Sequence, residues 1–214
     1  MLPLQQIPTL ADIRETHGAI GHMIHRTSVL TCNSIDEMTG AKVYFKCENF
    51  QKIGAFKMRG ASSASLRLTE EEKKKGLTTH SSGNHAQAVA LSAKILGVPA
   101  FIVMPENAPA IKKAGVRSYG GNIITCESTI EARESTLERV RQETGATFIH
   151  PYDDYNVIAG QATAVKELIE DAPKLDIVLS PIGGGGLMSG TALYSKYLNL
   201  GIKVMGAEPE LVTD

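Results

Sequence analysis

The apolar positions along the chain change their spacing at regular intervals, which predicts strands that alternate with helices. Short apolar runs are typical of strands, and most are followed by a longer segment whose apolar residues recur at helical spacing. The predicted strands cover 42–48, 77–80, 100–104, 122–126, 147–150, 176–181 and 203–207. The predicted helices cover 9–24, 58–68, 70–75, 84–96, 109–119, 129–144, 156–170 and 186–198. This alternation favours an α/β fold with a mainly parallel sheet covered by helices on both faces.

Several predicted helices carry capping signals at their ends. Thr69 and Glu72 match a capping box at the start of helix 70–75. Gly40 and Gly97 stand where helices are expected to end. Because ligands of parallel α/β folds bind where strands end and loops lead into helices, we expect function in those loops.

Composition and charge exclude several classes of function. The 214 residues carry a net charge of −1, with 43% hydrophobic and 21% charged residues, as in an ordinary globular chain. This charge gives no reason to expect a nucleic acid or an acidic membrane as partner. No apolar run approaches the length of a membrane span, and the first residues lack a signal-peptide pattern. The scattered Cys32, Cys47 and Cys126 fit neither a disulfide framework nor a CxxC metal site, which favours a reducing, cytoplasmic setting.

Lys57 occupies an unusual place for a lysine, directly after Gly54-Ala55-Phe56 and before helix 58–68. The first turn of a helix has unpaired N–H groups and a positive potential, which disfavours a cation. That potential, together with partial burial, would lower the pKa of the lysine. A neutral amine is what a Schiff-base lysine needs. The alternative is an ordinary solvated lysine.

Four consecutive glycines (Gly183, Gly184, Gly185 and Gly186, here the glycine loop) connect strand 176–181 to helix 186–198. Without Cβ atoms this backbone can approach a ligand closely, and the helix that follows directs free N–H groups at an anion such as a phosphate. The loop has neither a Walker lysine nor the GxGxxG spacing. The alternative is a tight turn, for which one glycine would suffice.

A third polar loop, Ser81-Ser82-Gly83-Asn84-His85 (here the serine loop), ends strand 77–80 and opens helix 84–96. Its Ser or Asn residues could simply cap the helix. His85 could act as a base, although a capping or structural histidine is the simpler interpretation. A polar loop, an amine and a phosphate-binding loop at strand ends would together suit pyridoxal phosphate, which carries an aldehyde and a phosphate.

The segments 54–61, 81–87 and 183–186 closely resemble the fold-type II pyridoxal-phosphate enzymes, which have the tryptophan synthase β-like fold. The resemblance is to the branch of serine/threonine dehydratases and serine racemases, and it implies parallel sheets covered by helices in two lobes with the cofactor between them. The small lobe would be 53–151, inserted into a large lobe of 1–52 and 152–214. Because family members continue for roughly another hundred residues, the large lobe is expected to lack its C-terminal part.

The same resemblance assigns roles around the cofactor. Lys57 would hold pyridoxal phosphate as a Schiff base and take the proton from the substrate Cα. Phe56 would pack against the ring, and Asn84 would hydrogen-bond the 3′ oxygen of the ring. The glycine loop and the N–H of Leu187 would bind the phosphate.

On the substrate side, the resemblance implies that the serine loop holds the carboxylate through Ser81, Ser82, Gly83, Asn84 and His85. Ser82 matches the serine that racemases use as acid or base on the opposite face of the substrate. Tyr152 stands where some racemases have Asn. This difference slightly favours elimination over racemisation.

The implied activity is that of an ammonia-lyase, a threonine/serine dehydratase. It would convert small hydroxy-amino acids (L-threonine, L-serine or threo-3-hydroxyaspartate) to a 2-oxo acid and ammonia. Serine racemase, which interconverts L- and D-serine, is the alternative enzyme. A non-catalytic subunit that binds pyridoxal phosphate is the alternative from another class.

The end of the chain resembles a divalent-cation site of this branch. Glu208 and Asp214 would supply carboxylates and Val212 a backbone carbonyl, all oxygen donors suited to Mg²⁺, Mn²⁺ or Ca²⁺. The alternative is a solvated acidic loop.

The resemblance also bears on partners. A homodimer is expected because dimers are usual for the family. Racemases of this branch can bind ATP at a subunit interface, a pattern that fits three positions here (Lys52, Gln87 and Tyr119) and misses three (Arg14, Cys32 and Asn33). The resemblance therefore supports ATP binding only in part.

Overall fold

The computed structural model describes residues 1–210, which form nine α-helices and eight strands. The helices are α1 Leu10–Ile20, α2 Asn33–Thr39, α3 Lys57–Leu66, α4 Glu70–Lys75, α5 Asn84–Leu96, α6 Ala110–Ser118, α7 Ile130–Thr144, α8 Tyr155–Asp171 and α9 Gly186–Leu198. The strands are β1 Val29–Leu30, β2 Phe45–Lys46, β3 Leu77–His80, β4 Ala100–Pro105, β5 Asn122–Cys126, β6 Thr147–Phe148, β7 Ile177–Pro181 and β8 Lys203–Ala207.

The larger sheet has four parallel strands in the order β5-β4-β3-β6. At its centre, Leu77 of β3 pairs with Ala100 of β4 on one side and with Thr147 of β6 on the other. The α5 helix packs against both this sheet and α3, and it carries four buried short side chains, namely Ala86, Ala88, Ala90 and Ala93. Small side chains let a helix approach a sheet closely, so α5 and the loop before it are held at the carboxyl end of β3.

A second parallel sheet consists of β7 and β8, in which Val178 pairs with Val204. Its helices α8 and α9 cross very closely, because a Cβ on Gly190 of α9 would lie only 2.6 Å from the backbone nitrogen of Ala162. A separate cluster of buried side chains fills this part of the fold, namely Ile13, Ala162, Val165, Val178 and Tyr194. The glycine loop joins β7 to α9.

Helix α3, which begins at Lys57, is anchored against α8 by another close approach of backbones. A Cβ on Gly160 of α8 would lie 2.5 Å from the carbonyl oxygen of Arg59 and 2.7 Å from the Cα of Gly60. Because real Cβ atoms do not come this close to backbone, only glycine fits here without a shift of the two helices. The contact holds the first turn of α3 at a set distance from α8.

The α/β fold class with parallel sheets is confirmed, and so are most of the predicted elements. Strands 77–80, 122–126 and 203–207 and helices 84–96 and 186–198 have the predicted bounds. The capping box of α4 is formed, since the Thr69 hydroxyl accepts from the N–H of Glu72 at 3.2 Å while the Glu72 carboxylate accepts from the N–H of Thr69 at 2.8 Å. Gly40, Gly97 and Gly145 end their helices at positive φ.

The parallel strands form two sheets, as the resemblance implied. Two details of the prediction are wrong. The predicted strand 42–48 shrinks to β2, which pairs antiparallel with the unpredicted β1 and gives way to a short 3₁₀ turn from Glu48 to Phe50. The predicted helix 9–24 ends at Ile20, and a turn closed by the bond from Met23 N to Ile20 O replaces its last residues.

No helix within residues 1–210 is long and apolar enough to cross a membrane. The division into a small lobe of 53–151 and a large lobe of 1–52 with 152–214 stays a prediction.

Candidate active site

Lys57 and the glycine loop line one cavity of about 190 Å³. Phe56, Leu187 and Tyr152 complete much of its wall. The structure thus brings together the residues predicted for the amine, the ring contact and the phosphate, although they come from segments more than a hundred residues apart. The serine loop does not contribute to this wall.

Lys57 is the first residue of α3, and its amine points to a backbone oxygen rather than to an acid. Its Nζ lies 2.7 Å from the carbonyl oxygen of Pro151 and 5.3 Å from the centroid of the Phe56 ring. Burial lowers the pKa of Lys57 to about 8, because the charged form loses contact with water. A neutral amine is therefore accessible near physiological pH, as the sequence predicted.

The glycine loop presents uncapped N–H groups to the cavity. Gly185 precedes α9 in the left-handed region, at a φ of +81°, and no side chain caps this helix. The ring of Tyr152 lies against Gly184, where a Cβ would overlap it. The loop therefore needs glycine for both conformation and space, and the first N–H groups of α9 are left to bind an anion.

The serine loop likewise leaves its helix without a side-chain cap. Gly83 is the N-cap residue of α5, and its N–H donates to the Ser81 hydroxyl at 3.2 Å. The alternative that Ser or Asn serves here as a cap is thus wrong. The free N–H groups at the start of α5 suit a carboxylate.

His85 is a structural histidine. Its side chain is buried, and its Nε2 lies 2.9 Å from the carbonyl oxygen of Ile149. Because a carbonyl can only accept, Nε2 carries the hydrogen, and burial lowers the pKa of His85 to about 3. The imidazole is therefore neutral. Any hydrogen bond from His85 to a substrate carboxylate would come from its backbone N–H.

The segment 149–152, which follows β6, connects the three loops. The carbonyl of Ile149 accepts from His85, the carbonyl of Pro151 accepts from Lys57, and Tyr152 packs on the glycine loop. In the sequence, Tyr152 stands out only as a position at which some racemases have Asn. The backbone oxygens of this segment leave no trace in the residue pattern, so they could not be predicted.

Asn84 has a partner that sequence analysis also missed. Lys112 of α6 places its Nζ 2.5 Å from Asn84 Oδ1. Ser82, two residues earlier in the serine loop, is half-buried at the same end of α5. The predicted substrate residues are thus together at the start of one helix.

A buried ion network lies behind Lys57. The guanidinium of Arg59 has no exposed surface, and it donates to Glu48 at 2.7 and 2.8 Å and to Glu167 at 2.8 and 2.9 Å. Lys46 and His17 also contact Glu167, at 2.7 and 3.0 Å. The network joins α3, α8 and the segment that leads to Lys57.

The network also determines the ionisation of its members. Burial by itself would raise the pKa of Glu167, but hydrogen bonds from His17 and Arg59 outweigh burial and lower it. Burial likewise works against the charge of Arg59, yet Glu48 and Glu167 raise its pKa. Both shifts favour the ionised form of the group.

The predicted cation site lies only partly within the described residues. Glu208 is exposed in the loop after β8, while Val212 and Asp214 lie outside residues 1–210. Within those residues, no group of three or more His, Cys, Asp or Glu side chains is placed to hold a metal.

The residues present fit pyridoxal phosphate. An amine of lowered pKa stands in the same cavity as a loop that has no room for a Cβ at Gly184 and whose helix lacks a side-chain cap. The amine can react with the aldehyde of the cofactor, and the loop can bind its phosphate.

Comparison with known proteins agrees with this fit. The model of the family "Pyridoxal-phosphate dependent enzyme" matches residues 20–214. The chain is 50% identical over 203 residues to a serine racemase of Oryza sativa subsp. indica, which covers 95% of the chain and 60% of the relative. It is 48% identical over 208 residues to a beta-hydroxyaspartate dehydratase of Paracoccus denitrificans, covering 97% of the chain and 66% of that relative.

The structure is similar to that of a maize serine racemase, with a TM-score of 0.94 and 50% identity over 96% of this chain and 62% of that one. This similarity confirms the fold-type II α/β fold. The chain thus spans about three fifths of the length of these relatives. From the family match and the site geometry together, we conclude that the chain belongs to the family of pyridoxal-phosphate dependent enzymes.

Proposed function

We propose that this protein is a pyridoxal-phosphate-dependent ammonia-lyase that converts small hydroxy-amino acids to a 2-oxo acid and ammonia. One observation carries the proposal: the Lys57 amine, with a pKa of about 8, shares a cavity with the glycine loop. The substrates we propose are L-threonine, L-serine and threo-3-hydroxyaspartate. The relatives named as a racemase and as a hydroxyaspartate dehydratase support this class of substrate.

The residues of the chain divide the work as follows. The N–H groups at the start of α9 hold the phosphate, and those at the start of α5 hold the substrate carboxylate. When bound, pyridoxal phosphate makes the Cα proton of an attached amino acid acidic, because its ring accepts electrons. The Nζ of Lys57 takes that proton and can return it to the departing hydroxyl. Phe56 and Tyr152 line the cavity beside Lys57.

Serine racemisation is the second candidate, favoured by the position of Ser82. Ser82 lies two residues before Asn84, the first residue of α5, whereas Lys57 is the first residue of α3. The resemblance to racemases assigns these two residues to opposite faces of the substrate. A proton donor on each face of Cα is what inversion requires.

Two variants distinguish the dehydratase, the racemase and the non-catalytic subunit. Release of 2-oxo acid from each proposed substrate is measured for the wild-type chain and for Lys57→Ala, in which it should vanish. Ser82→Ala should abolish formation of D-serine and leave dehydration of L-substrates less affected. Equal loss of both activities in Ser82→Ala would contradict the assignment of two faces, and a function that survives Lys57→Ala would favour a non-catalytic binding subunit.

We extend the proposal to a divalent cation and a homodimer. Glu208, Val212 and Asp214 would supply hard oxygen donors for Mg²⁺, Mn²⁺ or Ca²⁺. Treatment with EDTA should then lower activity, and added Mg²⁺ should restore it; activity that EDTA leaves unchanged counts against the cation. Analytical ultracentrifugation tests the dimer.

A further inference from the structure

Lys112 and Asn84 form a side-chain pair whose geometry has a chemical consequence. The Nζ of Lys112, on α6, lies 2.5 Å from the Oδ1 of Asn84, the first residue of α5. Both residues are half-buried. A lysine ammonium has only donors, so it can pair with the oxygen of a carboxamide and never with its NH₂ group.

This pairing determines which way the carboxamide faces. With Oδ1 committed to Lys112, the NH₂ group lies on the opposite side of the Asn84 side chain. Rotating the amide by half a turn would place its NH₂ against the ammonium, donor against donor. A charged partner on the oxygen also polarises the amide and strengthens its N–H groups as donors.

We propose that Lys112 is a positioning residue that acts through Asn84. It holds the carboxamide so that only N–H faces the cofactor, which selects an ionised oxygen on the pyridoxal ring over a hydroxyl. The inference rests on the proposed function and on the role that the resemblance implies for Asn84, a hydrogen bond to the 3′ oxygen of the ring. In this way Lys112, a residue of α6, would help to determine whether the 3′ oxygen of the cofactor is ionised.

The first test measures binding of pyridoxal phosphate by equilibrium dialysis, with circular dichroism as a check that each variant is folded. Lys112→Met, which removes the charge and keeps the length, should raise the Kd about tenfold, the scale on which partners of ligand-holding residues act. Lys112→Arg retains a donor and should recover most of the affinity. Lys113→Met is the matched control: its neighbouring Nζ contacts the carbonyl of Glu106 instead, so its Kd should stay within about twofold of wild type.

The second test is the pH titration of the visible spectrum of the bound cofactor, which a purely structural role would not move. Lys112→Met should raise the pH of the transition between the protonated and ionised ring oxygen by about one unit, because the ionised form loses a strengthened donor. Lys113→Met should leave it in place. A Lys112→Met variant with wild-type Kd and wild-type transition overturns the inference.

A double-mutant cycle tests whether Lys112 acts through Asn84. In the Asn84→Ala background, Lys112→Met should have little further effect on the Kd. An undiminished tenfold effect would mean that Lys112 acts on the ligand directly, and the positioning role would be wrong. Failure of the proposed function is distinct from either result, because then the wild-type chain itself would not bind pyridoxal phosphate, and both proposals would fall together.

Discussion

The amine of Lys57 and the carbonyl oxygen of Pro151 lie 2.7 Å apart in a partly buried setting. A carbonyl oxygen accepts from a neutral amine as well as from an ammonium, so this partner does not hold the proton on Lys57 as a carboxylate would. Burial then determines the pKa, which falls to about 8. The pair thus holds the amine in place and leaves it free to lose its proton.

The first prediction concerns the reactivity of Lys57. Its modification by a small amine-selective reagent, followed by mass spectrometry of peptides, should have a midpoint near pH 8. At pH 7 about a tenth of Lys57 would be neutral, against fewer than about one in a thousand for an ordinary lysine. Lys42, which is exposed, is the internal control. A Lys57 profile that coincides with that of Lys42 would contradict the lowered pKa.

The second prediction is that Lys57 destabilises the protein at neutral pH. The folded-state pKa of about 8 lies below the usual 10.5, so folding is penalised wherever Lys57 must be charged, which is fully so below pH 8. Lys57→Met should raise the free energy of unfolding at pH 7 by about 1–3 kcal/mol after the loss of one hydrogen bond.

The sign of the pH dependence is fixed by the same shift. Between pH 8 and 10.5 the unfolded chain binds more protons at Lys57 than the folded chain, so wild-type stability gains on the variant as pH rises. Urea denaturation at pH 7 and pH 10 measures the difference. A stabilisation that is equal at both values, or a loss of stability at pH 7, contradicts the prediction.

The third prediction tests the ion network behind Lys57. Glu167→Gln leaves the fully buried Arg59 with one carboxylate fewer and should cost about 3–5 kcal/mol of unfolding free energy, because the desolvated charge is no longer balanced. Glu143→Gln breaks an exposed pair with Arg139 and is the control, with an expected change within about 0.5 kcal/mol. Urea titrations measure both changes. Similar losses of unfolding free energy for the two substitutions would contradict the view that burial makes the network stabilising.

The fourth prediction concerns the contact between α3 and α8. Gly160→Ala would place a Cβ 2.5 Å from the Arg59 carbonyl, and the helices must move apart, at a cost of about 1–3 kcal/mol. Gly18→Ala in α1 has no atom within 4 Å of the new Cβ, so it should stabilise the protein by about 0.5–1 kcal/mol through helix propensity. Thermal unfolding distinguishes the two variants. A Gly160→Ala variant with wild-type stability would contradict the close approach of α3 and α8.

Much of the fold was predictable because its parallel strands are apolar runs and many of its helices end at glycine. The apolar strand β4 and the helices α5 and α7, which end at Gly97 and Gly145, show this best. β1 escaped prediction and β2 was predicted too long, because two-residue strands have no period and these two form only by pairing with each other. The division into two sheets also depends on strand pairing, which a pattern along the chain does not contain.

The site was predictable to the extent that its chemistry is carried by local motifs. Lys57 and the glycine loop share a cavity as expected, and the resemblance supplied the roles of Phe56 and Leu187. What escaped prediction depends on tertiary contact: the carbonyl of Pro151 that receives the amine, the Tyr152 ring on Gly184, and the lysine on α6 that pairs with Asn84. Arg59 lies in a recognised motif, but nothing in the sequence names Glu48 and Glu167 as its partners.

The most direct test of the central claim is the visible absorption spectrum of the purified chain with pyridoxal phosphate, before and after borohydride, followed by peptide mass mapping. We expect a yellow protein that borohydride bleaches, with the added mass on Lys57 and nowhere else. A chain that stays colourless with added pyridoxal phosphate, or one that carries the mass on a different lysine, would contradict the account.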